Sequence, residues 1–248
     1  MTDTSDTAAG MLSTQSAAIN NMENAPFGAV LGYTSGGIAV YSCYYENCSG
    51  PIDAKSVLAA ESSVIRFGDT SIYCGCKYQC VEFARRWMIL TLGVTFLGID
   101  YAYDIFSLST VSCARDGTTI PWRSVENGAC VDSNGVGHVR PVAGAILIWD
   151  KGGQFEHTGH VAVITETTQT SVRIAEQNVR HVPWPAGQPY ARELVLQSSS
   201  NPTTAEISYS IIDTCPSLMP GTQIKGWKLH PADFIARPIV AETEHNDL

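Results

Sequence analysis

The sequence predicts an α+β domain in which one helix precedes a run of antiparallel strands. The strongest helical signal covers residues 79–92, where apolar side chains recur at three- and four-residue spacing and Gly93 follows as a C-terminal cap. Three strand candidates come later in the chain, VAGAILIWD, HVAVITET and SVRIAEQN. The 248 residues are 44% hydrophobic and 16% charged, a composition typical of a globular protein with a buried core.

Shorter elements flank this helix and these strands. The runs FGAVLGYT and GGIAVYSC are β-like and bounded by glycine-rich turns. Helices are predicted in KSVLAAESSVIRFG and in YAYDIFSL. The other segments are a long polar connection at residues 110–141, a strand in HVPWPAGQPYARELVL, a loop at residues 196–206 and a final segment, IKGWKLHPADFI.

We expect one domain, residues 25–238, between a flexible N-terminal tail at residues 1–24 and an acidic C-terminal tail at residues 239–248. The N-terminal tail lacks a basic stretch followed by an apolar core, so no secretory signal is predicted. The sequence contains no run of 18 apolar residues, which argues against a membrane span and favours a cytoplasmic location. The net charge of -9 disfavours binding to nucleic acid or to an anionic cell wall.

Cysteine usage favours free thiols. A chain of this length without an export signal is expected to keep its eight cysteines reduced. Cys74, Cys76 and Cys80 form a C-x-C-x3-C pattern, which has neither the usual C-x2-C spacing nor a fourth zinc ligand nearby. No metal site is therefore predicted.

Cys80 opens the strongest predicted helix. The unpaired N–H groups and the dipole of a helix N-terminus favour a negative charge, which lowers the pKa of a thiol, and the thiolate is the nucleophilic form. A small buried thiol with no chemical role is the alternative. A nucleophile also needs a base, and the base needs a group that orients it.

Two histidines compete for the role of base. His160 lies at the start of a β-like run, after a turn, where it can face a cleft. His157 lies in the turn itself and is the weaker candidate. A packed or surface histidine without a catalytic role is the alternative for either.

Glu176 is the candidate for the orienting group. Strand alternation places Ile174, Glu176 and Asn178 on one face of RIAEQN, and a buried carboxylate must be paired. If this strand forms a hairpin with HVAVI, Glu176 can reach His160 and stabilise its imidazolium. The alternative is a salt bridge from Glu176 to Arg173 or Arg180.

Gln79 is the candidate for an oxyanion donor. Its side-chain amide, together with the backbone N–H of Cys80, can stabilise a negative oxygen. The alternative is a solvated amide at the start of a helix.

Several strings carry a specific resemblance. The order of cysteine, histidine and acidic residue resembles the CHAP amidohydrolase/peptidase superfamily, whose papain-like fold packs a helix bearing the nucleophile against an antiparallel β-sheet. The match is closer to the amidase domain of bifunctional glutathionylspermidine synthetase/amidase and of trypanothione synthetase, and it covers about residues 25–235. The strings that carry it are APFGAVLGY, YQCVEFARRW, VAGAILIWDKGGQF, TGHVAVIT and VRIAEQN.

The resemblance implies hydrolysis of the amide bond between the glycine carboxyl of glutathione and a polyamine. It implies that Cys80 is the nucleophile, His160 the base and Glu176 the third catalytic residue. It also implies substrate-binding roles for Arg85 and Asn178. The expected partner is a small glutathione–polyamine conjugate, and no cofactor is implied.

Some alternatives stay open at this point. The sequence ends soon after residue 240, so the resemblance predicts the amidase activity without the ATP-grasp synthetase half. A disulfide from Cys74 or Cys76 to Cys80 would inactivate the enzyme. A peptidoglycan amidase or endopeptidase, or a non-catalytic domain that binds thiol–polyamine conjugates, also fits the pattern. The oligomeric state does not follow from the sequence.

Overall fold

The computed structural model describes residues 23–44, 62–67, 70–137 and 139–231. The described part contains one α-helix, α1 (Cys80–Leu92), and strands that pair only in antiparallel fashion. The strands are β1 (Val30–Tyr33), β2 (Ala39–Tyr41), β3 (Ser62–Phe67), β4 (Thr70–Cys76), β5 (Val94–Thr95), β6 (Thr110–Cys113), β7 (Thr119–Pro121), β8 (Ser124–Glu126), β9 (Ile146–Trp149), β10 (His160–Thr167), β11 (Ser171–Ala175), β12 (Arg192–Ser200), β13 (Ile207–Ile212) and β14 (Ile224–Lys228).

The predicted helix is confirmed, and its ends have clear causes. Gln79 precedes it with an extended backbone, at φ -79° and ψ 165°. Gly93 ends it in the left-handed conformation, at φ 67°, and its N–H bonds back to the carbonyls of Ile89 and Met88. Glycine adopts this conformation without the steric penalty of a side chain, so the helix stops where the sequence predicts.

A seven-stranded sheet forms the centre of the fold, in the order β13-β12-β11-β10-β9-β14-β8. The three strand candidates of the sequence are its β9, β10 and β11. Val161 and Val163 of β10 belong to the core shared with α1, whereas Ala162 and Ile164 belong to a second core. Because successive side chains of a strand point to opposite faces, both faces of β10 are buried. This explains why β9 and β10 read as continuous apolar runs.

The helix predicted in KSVLAAESSVIRFG is wrong for its last part. Ser62–Phe67 form β3, which pairs with β4 from Ser62↔Cys76 to Phe67↔Thr70. Val64 and Ile65, both β-branched, suit this pairing, and the cross-strand partner overrides a weak helical pattern. Residues 55–61 lie outside the described residues.

Two predicted loops are also partly wrong. The connection at residues 110–141 contains β6, β7 and β8, and the loop at 196–206 begins with the last residues of β12. These strands are short or polar, so each offers little of the alternation that marks a half-buried strand. Ser198, Ser199 and Ser200 are all exposed, yet they pair with β13. Backbone pairing forms such strands without an apolar side-chain signal.

Of the remaining predictions, one helix is confirmed and the two tails fall almost entirely outside the described residues. YAYDIFSL forms a 3-10 helix, Ala102–Ser107, and two short 3-10 turns lie at Gly153–Phe155 and Pro216–Leu218. The predicted tails, residues 1–24 and 239–248, lie outside the described residues apart from positions 23 and 24. No helix in the described ranges is long and apolar enough to cross a membrane.

Lys228 is a fully buried lysine that fixes one edge of the sheet, and burial lowers its pKa to about 7. Its Nζ donates to the carbonyl oxygen of Trp122 at 2.9 Å and to Ser124 Oγ at 2.7 Å. It also donates to the carbonyl oxygen of Leu108, beyond the 3-10 helix. A buried amino group needs hydrogen-bond partners, so this lysine joins β14, β8 and the 3-10 helix segment.

We expect Lys228→Met to lower the free energy of unfolding by about 2–5 kcal/mol, because it leaves buried carbonyl oxygens without a donor. Urea unfolding followed by circular dichroism measures the change. Lys225→Met on the same strand is the matched control, since Lys225 forms a part-exposed ion pair with Asp150. Equal stability of the two variants would contradict a structural role for Lys228.

Candidate active site

Cys80 is the first residue of α1, and only 7% of it is exposed. The first helical hydrogen bond runs from Phe83 N–H to the carbonyl of Gln79, so the amides before Phe83 have no helical partner. Free amides and the helix dipole stabilise a negative charge at this end of the helix. Cys80 Sγ therefore lies on the residue that begins the positive end of the helix dipole.

His160 begins β10 and is completely buried. Its ring lies between those of Trp149 and Phe155, with centroids at 5.3 and 5.1 Å. Gly159, just before it, has φ +59°, and a Cβ there would lie 2.8 Å from Tyr103 Cβ and 2.7 Å from the carbonyl oxygen of Trp149. The close approach at Gly159 and the two flanking rings fix the imidazole in place.

The two ring nitrogens of His160 have different surroundings. Nε2 lies 2.9 Å from Glu176 Oε2, and Nδ1 has no hydrogen-bond partner among the described residues. Because the carboxylate accepts the Nε2–H, Nδ1 is the nitrogen left to exchange a proton with the nearby Cys80 thiol.

The electrostatic surroundings favour a protonated imidazole. Burial alone would lower the pKa of His160, but the negative charge of Cys80 and the Glu176 carboxylate outweigh it and raise the pKa to about 9. At neutral pH the arrangement therefore favours an imidazolium at His160.

Glu176 follows the last residue of β11 and is buried. Besides His160, it accepts hydrogen bonds from Arg192 Nε at 2.5 Å and from Arg192 Nη2 at 3.1 Å. Burial raises the pKa of this carboxyl, but Arg192 and His160 more than offset it and hold the pKa at about 2. Arg192 also binds Asp213 through Nη1, at 2.9 and 3.0 Å. Glu176 is thus ionised and fixed on both sides.

The alternative partners of Glu176 considered from the sequence are wrong. Arg173 pairs instead with Glu166 and Glu193. Arg192 lies 16 residues further along the chain, on β12, and reaches Glu176 because β12 pairs with β11. Arg192 could not be predicted as the partner of Glu176 without the pairing of β11 and β12, because a single arginine in the segment RELVL does not indicate which residue it contacts.

The prediction that Asn178 lies on the same strand face as Glu176 is wrong, and the two side chains have different hydrogen-bond partners. β11 ends at Ala175, and Asn178 has a left-handed backbone, at φ 66°. Its Nδ2 donates to Gln79 Oε1 at 2.7 Å, and its Oδ1 accepts from Cys43 Sγ at 3.0 Å. The turn in the backbone therefore directs Asn178 toward the start of α1.

A buried polar network behind the site was missed from the sequence. Gln177 Nε2 donates to Glu82 Oε2 at 3.0 Å and to the carbonyl of Gln79 at 3.3 Å. Arg86 Nε binds Glu82 Oε1 at 2.6 Å, and its Nη2 donates to Gln177 Oε1 at 3.1 Å. The i, i+4 spacing of Glu82 and Arg86 was the available signal. These bonds tie the first turn of α1 to the segment that bears Glu176.

Arg85 lies on α1 but outside the Cys80–His160–Glu176 group. Its guanidinium carbon is 5.8 Å from the ring centroid of Tyr73 and 5.5 Å from that of Phe96. Burial lowers its pKa, and no carboxylate among the described residues pairs with it. Its Nε is buried without a hydrogen-bond partner in the same ranges. A buried arginine of this kind is suited to an external anion.

The competing candidates lie elsewhere. The His157 side chain is 83% exposed and pairs with Glu156, so it takes no part in the site. Cys74 is buried in a small apolar cluster with Ile65 and Ile89, and its thiol is free. In the described residues, no group of three His, Cys, Asp or Glu side chains could hold a metal ion.

Residues 71–178 match the family model of the CHAP domain. The chain contains a CHAP domain. Cys80, His160 and Glu176 all lie within the matched range, and the resemblance drawn from the sequence strings is confirmed.

Three relatives have related names. The chain is 39% identical over 211 residues to the bifunctional glutathionylspermidine synthetase/amidase of Escherichia coli, covering 85% of this chain and 30% of that protein. It is 32% identical over 175 residues to trypanothione synthetase of Crithidia fasciculata, covering 71% and 24%. It is 27% identical over 214 residues to glutathionylspermidine synthase of the same organism, covering 84% and 27%. The aligned region thus spans under a third of each relative.

We expect Cys80→Ala to lower the pKa of His160 below about 9, because the negative charge of Cys80 helps to raise it. Without that charge, burial of the imidazole lowers its pKa with less opposition. NMR titration of the imidazole resonances measures both proteins: the wild-type ring stays protonated below about pH 9, and the variant ring deprotonates at lower pH. An unchanged pKa of His160 in the variant would contradict an electrostatic interaction between Cys80 and His160. The control is Cys113→Ala, which removes a half-buried thiol from β6.

Proposed function

We propose that this protein is a cysteine-dependent amidase that hydrolyses glutathionylspermidine to glutathione and spermidine through a thioester on Cys80. One observation carries the proposal: a buried, ionised Glu176 orients His160 so that Nδ1 is left for a cysteine at a helix N-terminus. The similarity to the synthetase/amidase of Escherichia coli supports the choice of substrate.

The first half of the reaction forms the thioester. Cys80 Sγ attacks the glycyl carbonyl carbon, and the carbonyl oxygen takes up the negative charge. Gln79 is the proposed donor to that oxygen, with the backbone N–H of Cys80 as the second. The His160 imidazolium then gives its Nδ1 proton to the amine nitrogen as the C–N bond breaks, so spermidine leaves as a neutral amine at the reacting nitrogen.

The second half releases glutathione. His160, now neutral, accepts a proton from water at Nδ1, and the resulting hydroxide attacks the thioester carbon. The C–S bond breaks and the sulfur leaves as the thiolate, which restores the ion pair with the imidazolium. Glu176 keeps its charge throughout, because Arg192 and His160 hold its pKa at about 2. Its role is to orient the imidazole and to stabilise its charged form.

Arg85 is the proposed partner of the substrate carboxylate. Glutathionylspermidine has one free carboxylate, on its glutamyl residue, because the glycine carboxyl is in the amide bond. Arg85 is a buried cation with no carboxylate partner in the described structure, held between Tyr73 and Phe96. Its planar guanidinium suits two parallel hydrogen bonds to a carboxylate.

A turnover assay tests the proposed function. Purified protein with glutathionylspermidine should release glutathione and spermidine in equal amounts, followed by mass spectrometry. Cys80→Ala should lower the rate at least ~10³-fold because no thioester can form. Cys113→Ala controls for loss of a thiol. No release by folded wild-type protein would overturn the substrate assignment. If the same protein released peptide fragments from purified cell wall, the activity would be peptidoglycan hydrolysis.

Arg85→Met should raise KM for glutathionylspermidine about tenfold to hundredfold while changing kcat little, since it removes a charged hydrogen-bonding partner far from the reacting bond. Steady-state kinetics with the same product assay separates the two constants. Arg115→Met, at an exposed position, is the matched control. A fall in kcat with unchanged KM would argue against carboxylate binding by Arg85.

A further inference from the structure

Cys43, which follows β2, is linked to the residue before the nucleophile. Its Sγ donates to Asn178 Oδ1 at 3.0 Å, and Asn178 Nδ2 donates to Gln79 Oε1 at 2.7 Å. The side-chain amide of Asn178 therefore connects a second thiol to Gln79, the residue that precedes Cys80. None of the catalytic steps described above uses this thiol.

The direction of the hydrogen bonds from Cys43 through Asn178 to Gln79 decides which end of the Gln79 amide is left to face a substrate. A carboxamide has a donor end and an acceptor end, and it can turn over in place. As Asn178 stands, its nitrogen faces Gln79, so Gln79 presents oxygen to Asn178 and directs its own Nε2–H groups away. If Asn178 turned over, Gln79 would have to present Nε2 to it and would direct its oxygen away instead. That oxygen would repel a developing oxyanion rather than stabilise it.

Cys43 is the group that distinguishes the two orientations. Burial and then the nearby Cys80 raise the pKa of the Cys43 thiol to about 12, so the thiol keeps its proton and can donate. Sulfur is a poor hydrogen-bond acceptor, so a protonated thiol at this position favours the orientation in which Asn178 presents oxygen to it. The neighbouring Gln177 is fixed by Arg86 and Glu82, which leaves the Asn178 side chain as the part free to turn.

We infer that Cys43 is a positioning residue that, through Asn178, keeps the amide of Gln79 in the orientation that can donate to an oxyanion. The inference rests on the proposed function, because the role has meaning only where a substrate carbonyl takes up negative charge. It also gives Asn178 a role other than the substrate contact implied by the resemblance.

The first test removes the donor. Cys43→Ala should lower kcat about threefold to tenfold with KM unchanged, the loss expected when one weak hydrogen bond no longer favours the productive orientation. Cys43→Ser should recover part of the lost kcat, because a hydroxyl can donate to the same oxygen but can also accept from the nitrogen of a turned amide. Cys113→Ala controls for loss of a half-buried thiol, and melting temperatures verify that all variants are folded.

The second test reverses the amide with a change of one atom. In Asn178→Asp, both carboxylate oxygens accept hydrogen bonds, so Gln79 must turn its Nε2 toward position 178. Aspartate tolerates the left-handed backbone found there. We expect kcat to fall about 10²-fold, as far as in Gln79→Ala, and Cys43→Ala to add no further loss in this background. The maximal kcat of each protein is read from the plateau of its pH–rate profile. A simple effect of the added charge would instead shift the pH values at which kcat rises and falls.

The outcomes separate the inference from the proposed function. A wild-type protein that hydrolyses glutathionylspermidine, with Cys43→Ala equal to it in kcat, overturns the inference alone. Cys43→Ser as slow as Cys43→Ala also overturns it, since a donor would then be irrelevant. A folded wild-type protein without turnover overturns the proposed function and the positioning role that depends on it.

Discussion

The buried charge of Glu176 is the constraint on which the arrangement of the site depends. A carboxylate with so little exposure is stable only when cations and donors surround it, and here Arg192 and His160 both do so. Arg192 is itself fixed by Asp213, beyond β13. The carboxylate therefore fixes the tautomer and orientation of His160 and, through β12, ties the site to the outer strands of the sheet.

A second group of buried polar side chains connects α1 to this sheet. Gln177 contacts both the carbonyl of Gln79 and the carboxylate of Glu82, while Arg86 binds Glu82 and Gln177. The segment of residues 176–178 thus serves both sides of the site: Glu176 orients the imidazole, and the next two residues hold the start of the helix. Strand and helix are fixed relative to each other by hydrogen bonds as well as by apolar packing.

The site extends beyond the part of the chain that matches the CHAP family model. Cys80, His160 and Glu176 lie within residues 71–178, whereas Arg192, Asp213 and Cys43 lie outside this range. The outside residues do not touch the reacting bond in the proposed mechanism. Arg192 supplies the positive charge that keeps Glu176 ionised, Asp213 binds Arg192, and Cys43 donates to Asn178 Oδ1.

The sequence by itself determined the helix that begins at Cys80 and the strands β9, β10 and β11, because apolar spacing and the cap at Gly93 are local signals. Short motifs also named Cys80, His160 and Glu176 as candidates for one site. The tertiary structure alone decided the partner of Glu176, the strand at Ser62–Phe67 and the direction of Asn178. Each of these depends on a contact between segments distant in sequence or on a backbone turn. Strand pairing and burial of charge act between such segments, and no local pattern records them.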